Sequence, residues 1–224
     1  MDWTYNTIWH DQLPPDYLVF ADFRNSSRFN GSLKDKRYIF ADRFKSCTAD
    51  FVDFPPVGLV DYLYIWSSNI KSLNGISKLS GIKRLEVQYC LKLENDLGLS
   101  QLGDSLKWLH INQSKKLSPS EELFSLYNLR VLCLNECGPI HNLEFLHRLP
   151  HLLDFRFVNT KILSGDLTPL LEHPTLCSAG FVNKKHYNLK KKEVDEHFRL
   201  KRDKAIEKVY RDSYETYRYI NAST

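Results

Sequence analysis

Two pairs of residues have the types and spacing for chemistry. Cys133 and Cys137 lie four positions apart in "LRVLCLNECGPI" (129–140), and His147 and His151 lie four apart in "HRLPH" (147–151). Thiols and imidazoles at such intervals bind metal or cycle redox states when the backbone puts both on one face. For the histidines that face would be an uninterrupted helix turn. Pro150 stands between them and breaks it, so no metal site is expected there. Phosphate loops, dinucleotide fingerprints and H-E-x-x-H helices are absent, and the nine glycines are scattered.

What holds the cysteines is a repeat. The pattern apolar-x-x-apolar-x-apolar-x-x-small begins at Val60, Ile82, Leu106, Leu129, Leu152 and Leu176, at steps of 22 to 24 residues. Six matches at near-constant spacing specify one supersecondary unit copied along the chain. A single unit cannot bury its own apolar side, so neighbours must stack around a shared core.

This pattern resembles the leucine-rich repeat family, in its short class of about 22 residues, over residues 59–188. Leu63, Ile65, Ser68, Ile70, Leu73, Ile76, Leu79 and Ile82 fill one repeat. The resemblance implies an α/β solenoid: a strand, a turn and a helical return per repeat, with a curved parallel sheet on the concave side. Strand alternation then sends Leu132 and Leu134 inward and Cys133 outward. Cys137 falls in the ninth slot, where the family turns a small polar group inward to bond backbone. Ser68, Cys90, Ser114 and Thr160 share that slot, and Lys184 ends the column. The two cysteines thus face different ways and are repeat residues, not joint ligands. His110, Glu86 and Cys133 would share one outward column; a nucleophile made from them needs an orienting group and a cleft, and a flat sheet is not expected to supply one.

Open solenoids need covered ends. Residues 1–58 read as an N-terminal cap holding 12 of the 29 aromatic residues, Trp3, Tyr5, Trp9, Tyr17 and Phe20 among them. "LVFADFRN" from Leu18 and "YIFADRFK" from Tyr38 are near copies rich in strand formers, separated by "SSRFNGSLKDK", and are expected to add one or two strands. Residues 189–224 form the third region. There, 191–219 lacks Gly and Pro, is dense in helix formers, and spaces Val194, Phe198, Ala205, Ile206, Val209, Tyr210, Tyr214 and Tyr217 by threes and fours, predicting one long helix. Its stripe would cap the last repeat, or its tyrosine-rich end would project and bind.

Composition narrows the classes. Of the net charge of +4, residues 184–224 carry twelve Lys and Arg against seven Asp and Glu, while the rest holds 19 against 20. A uniformly basic nucleic-acid-binding body is therefore not indicated. The start lacks a basic stretch and an apolar h-region, no apolar run approaches membrane-helix length, and five cysteines are an odd, dispersed set of free thiols. A cytoplasmic location is expected.

The outward strand positions then become the candidate partner site: Tyr62, Tyr64, Trp66, Arg84, Glu86, Tyr89, Trp108, His110, Asp154 and Arg156. Aromatic residues crowd its N-terminal half and charges of both signs alternate, which suits a protein partner better than a phosphate backbone. Trp66, Trp108 and Tyr64 are expected to carry binding energy but not stability. The segment "HPTLCSAGFVNKKHYN" further resembles the last repeat of bacterial leucine-rich-repeat proteins encoded as immunity partners of polymorphic toxins. That resemblance implies a non-enzymatic inhibitor, without cofactor or metal, that occludes a toxin domain. A regulatory or scaffold subunit of a cytosolic enzyme is the alternative, and phosphate contact through the basic "NKKHYNLKKK" run a third.

Overall fold

The computed structural model describes residues 4–24, 29, 31–79 and 81–220. Trp3 and residues 25–28 and 30 of the polar turn region lie outside them. Eight strands form one parallel sheet in chain order: β1 (Leu18–Asp22), β2 (Tyr38–Asp42), β3 (Tyr62–Trp66), β4 (Arg84–Gln88), β5 (Trp108–Asn112), β6 (Val131–Asn135), β7 (Asp154–Arg156) and β8 (Ser178–Gly180). The near copies at Leu18 and Tyr38 are the first two strands. They pair residue for residue, Leu18 with Tyr38 and Asp22 with Asp42, and β2 pairs with β3 in the same way. The repeat thus runs through eight strands where its leucine signature marks six.

The returns on the other side are short. They include one-turn 3-10 helices at Ile76–Leu79, Leu99–Leu102 and Glu144–Arg148 and two short α-helices, α1 (Glu121–Phe124) and α2 (Thr168–Glu172). The inward leucines of strands and returns form a single core running from Ala21 to Phe198. At its N-terminal end the filling changes from leucine to phenylalanine: Phe23, Phe44, Phe51 and Phe54 pack ring against ring.

Each strand from β2 to β6 is followed by one residue in the left-handed region, Arg43, Ser67, Tyr89, Gln113 or Glu136, with φ between 49° and 59°. That conformation costs roughly 1 kcal/mol in a residue with a side chain, and here it turns the chain so that the next, ninth-slot residue points inward. The inward groups then bond neighbouring backbone. Ser68 Oγ donates to the Phe44 carbonyl at 2.7 Å, Ser114 Oγ to that of Cys90 at 3.3 Å, and Thr160 Oγ1 to that of Leu134 at 2.6 Å. Cys137 Sγ meets the Ile111 carbonyl at 3.4 Å, on the core side, while Cys133 lies on the opposite face.

The tail departs from the expected single helix. Residues Lys191–Ala205 form α3, whose Val194 and Phe198 enter the core beside β8. The helix then ends, and β9 (Ile206–Arg211) and β10 (Tyr214–Tyr219) make an antiparallel hairpin. Ile206, Val209, Tyr210, Thr216, Tyr217 and Tyr219 are β-branched or aromatic residues that favour a pleated strand, and Asp212 takes the positive φ of 54° that the tight turn needs. The hairpin folds back across the concave face. Residues 4–6 lie along its edge, with Asn6 N–H donating to the Tyr217 carbonyl at 2.8 Å and Tyr219 N–H to that of Thr4 at 2.9 Å.

Candidate functional site: a cleft on the concave face

Register fixes three outward columns. The first runs Leu18, Tyr38, Tyr62, Arg84, Trp108, Val131, Asp154 and Ser178. The middle column runs Phe20, Phe40, Tyr64, Glu86, His110, Cys133, Arg156 and Gly180. The third begins Asp22, Asp42, Trp66, Gln88, Asn112, Asn135. Parallel pairing stacks these side chains one strand apart, about 4.8 Å.

The N-terminal arm and the C-terminal hairpin together form a strap that closes over the first column. Ile8 and Leu13 pack with Tyr38, Phe40 and Tyr62, and Tyr219 packs with Trp108, Val131 and Cys133. Several residues expected to be an open partner surface are therefore interior. Tyr62, Arg84, Glu86, Trp108 and Asp154 are all buried, Asp154 completely. Trp108 lies edge-on to Tyr219 at 6.3 Å, so its assignment to binding without stability is corrected: it is core of the strap contact. Tyr64, Trp66, His110 and Arg156 remain half-buried, and Tyr89 is exposed, its ring edge-on to Trp66 at 6.2 Å.

The buried polar groups are paired. Tyr62 Oη donates to Glu86 Oε1 at 2.8 Å, and Arg84 Nε reaches the same oxygen at 2.7 Å. The Arg84 guanidinium also donates to the carbonyls of Tyr5 (3.1 Å) and Asn6 (2.6 Å), tying the arm to the sheet. Three strands away from Glu86, Asp154 Oδ2 receives Tyr219 Oη at 2.7 Å and Arg156 Nε at 3.0 Å, and the Arg156 guanidinium lies over the Tyr217 ring at 5.5 Å. Burial works to raise the Glu86 carboxyl, but Arg84 foremost, then His110 and the hydrogen bonds, hold it below its ordinary value. Burial lowers the His110 imidazole against the pull of Glu86, whose Oε2 stands 3.7 Å from Nδ1.

Between arm, hairpin and sheet a cleft of about 720 Å³ remains open. Phe20, Phe40, Tyr64 and Trp66 line its sheet side, with Glu86, His110, Cys133 and Arg156 deeper along the middle column; Ile8 and His10 of the arm and Tyr214 of the hairpin form the opposite wall. Of the predicted residues, Tyr62, Tyr64, Trp66, Arg84, Glu86, His110 and Arg156 meet here, whereas Tyr89, Trp108 and Asp154 lie outside the lining. The expectation of a cleftless sheet is thus corrected: arm and hairpin turn an open face into a pocket of ligand-binding size. Phe20, Phe40, Asp22 and Asp42 were missed, although the doubled "FAD" in the near copies marks their columns. Tyr214 belongs to the tyrosine-rich end expected to cap or to bind, whereas Ile8 and His10 carry no such signal.

Burial, with Asp154 adding, pushes the Cys133 thiol up to about 12, and burial also lowers the His110 imidazole, so both groups disfavour the thiolate that a nucleophile requires. Among the described residues no group of three or more His, Cys, Asp or Glu is placed to hold a metal ion. His147 sits in the 3-10 helix facing Glu144, and His151 is exposed beyond Pro150.

No family model and no curated protein matches the sequence. Among solved structures, an internalin from Listeria monocytogenes is similar over 68% of this chain at 13% identity and a TM-score of 0.31; this chain spans 64% of that one. The solenoid assignment rests on the strand order and register described above.

Proposed function

We propose that this chain is a non-enzymatic protein-binding module of the inhibitor or immunity kind, whose partner docks at the N-terminal half of the concave face and enters the cleft there. The observation that carries this reading is the aromatic rim. Phe20 is 58% and Tyr89 43% exposed, and Tyr64 and Trp66 stand half-open between them, all on a sheet whose strands are fixed residue to residue. Large apolar rings held in water by a rigid scaffold are the usual anchors of protein interfaces, and preorganisation spares the ordering cost on binding. A toxin domain occluded by such a face is the partner class implied by the resemblance of "HPTLCSAGFVNKKHYN" to the last repeat of immunity proteins.

Half of the tail's twelve cations face carboxylates: Lys191 and Arg202 meet Asp195, Arg199 meets Glu196, Lys208 meets Glu215, Arg211 meets Asp11 and Arg218 meets Glu207. Five unpaired thiols, four of them buried, fit a reducing compartment such as the cytoplasm. Among the described residues no helix is long and apolar enough to cross a membrane.

The test is affinity capture from a lysate of the source organism, comparing the wild type with a Tyr64→Ala, Trp66→Ala, Tyr89→Ala variant of unchanged circular dichroism. The expected result is one stoichiometric protein lost with the variant, a toxin domain if the inhibitor reading holds and a housekeeping enzyme if the chain is a regulatory subunit. Nucleic acid retained by both and released by salt would overturn the reading.

A further inference from the structure

We propose that the cleft receives a tyrosine-class side chain from the partner, an uncharged aromatic ring with a hydrogen-bonding tip, in a seat next to the one filled by the chain's own Tyr219. This deepens the protein-binding reading and rests on it.

The concave face already seats two phenols in one way. Tyr219 lays its ring against Trp108 and gives its hydroxyl to Asp154 at 2.7 Å; Tyr62 lays its ring against Phe40 at 5.2 Å and gives its hydroxyl to Glu86 at 2.8 Å. Each phenol packs on an aromatic ring of the outward columns and gives its hydroxyl to a carboxylate on a different strand from that ring. The open cleft offers the same two parts. Phe40, Tyr64 and Trp66 supply ring surface, and the His110 side chain, about a third exposed in the lining, supplies the polar group. Its Nδ1 stands 3.7 Å from Glu86, beyond hydrogen-bond length.

Charge selects the tip. The acids and bases around the cleft face one another, Glu86 with Arg84 at 2.7 Å, Arg156 with Asp154 at 3.0 Å, Asp42 with Arg43 at 3.7 Å, and Asp22 and Asp42 with Arg24 at 3.5 and 3.8 Å. A charged side chain would enter a part-buried site whose ionic groups already face partners, at the cost of its hydration. A wholly apolar one would leave His110 unpaired. An uncharged ring ending in a hydroxyl or N–H meets both conditions.

The experiment uses the full chain with isotope-labelled histidine and blocked tripeptides, acetyl-Gly-X-Gly-amide with X = Tyr, Phe, Asp or Lys, followed by magnetic resonance of the His110 ring, which is assigned by its loss in His110→Gln. The Tyr peptide is expected to shift the ring saturably, with a dissociation constant on the order of millimolar, as for one seated side chain. The Phe peptide should bind roughly three- to tenfold more weakly, the worth of one hydrogen bond, and the charged peptides should not saturate. Tyr64→Ala, on the cleft wall and away from His110, should weaken the Tyr peptide as well. Equal affinity for Tyr and Phe, saturation by Asp or Lys, or no movement of His110 would overturn the inference. These titrations need no natural partner, so their failure stays separate from failure of the capture, which alone decides the protein-binding reading.

Discussion

Tyr219 shows how much one phenol can hold. It is completely buried, its hydroxyl and the Arg156 guanidinium share one oxygen of Asp154, and the other carboxylate oxygen is buried with no hydrogen-bond partner among the described residues. Tyr219→Phe keeps the ring on Trp108 and removes half of the support for a buried charge. The expected cost is about 1.5–3 kcal/mol in urea unfolding, the range for hydrogen bonds to charged groups. His110 makes a second, pH-dependent prediction. Its folded pKa lies below its ordinary 6.5, so as pH falls through that value the unfolded chain takes up a proton that the folded chain refuses, and stability drops. Glu86, held below its ordinary 4.5, adds its own loss only in more acidic solution. Melting temperature should therefore fall between pH 7 and pH 5 in the wild type and fall less in His110→Gln. A residual slope should remain, because burial also lowers His173. Identical slopes would mean that the His110 ring is hydrated in solution.

At the scale of elements, the hairpin is the part whose local pattern is ambiguous. Spacings of three and four along 194–217 satisfy a helix, while the same stretch beyond Ala205 offers β-branched and aromatic residues to a strand. Tertiary partners decide it: the edge of β10 pairs with residues 4–6, Thr216 Oγ1 meets Thr7 Oγ1 at 2.8 Å, and Tyr219 fills the space over Trp108. Thr216→Pro should break that pairing and leave the eight-strand sheet standing. The expected signature is a red shift and greater acrylamide quenching of tryptophan emission as Trp108 opens to water, with one cooperative melt at lower temperature. Unchanged emission would show that the strap does not cover Trp108 in solution.

For the whole molecule, the strap separates residues that stabilise from residues that bind, although both kinds share the outward columns. Trp108→Ala removes a ring that is 3% exposed and should cost about 3–5 kcal/mol. Trp66→Ala, at the half-open rim under the Arg43 guanidinium at 5.6 Å, should cost under about 1 kcal/mol and yet lose the partner. Denaturant midpoints and capture yields for the two variants give the comparison directly. The reverse pattern would place the docking surface elsewhere.

The sequence by itself determined the period, the inward leucines, the ninth-slot column and the outward direction of the candidate residues, because each of these follows from alternation along a strand and from copies of one unit stacked on the next. Cys133 and Cys137 are the clearest instance, since their opposite faces follow from counting residues within one repeat. The near copies at Leu18 and Tyr38 likewise pointed to extra strands. What only the tertiary structure decided is which outward residues meet water. Arm and hairpin are joined by contacts 200 residues or more apart in sequence, such as Thr7 with Thr216 and Asp11 with Arg211. No local period encodes such a pairing. It follows from the fit of two chain ends over the same sheet, and that fit buries Trp108 and Asp154, leaves Tyr64 and Trp66 at the rim, and shapes the cleft between them.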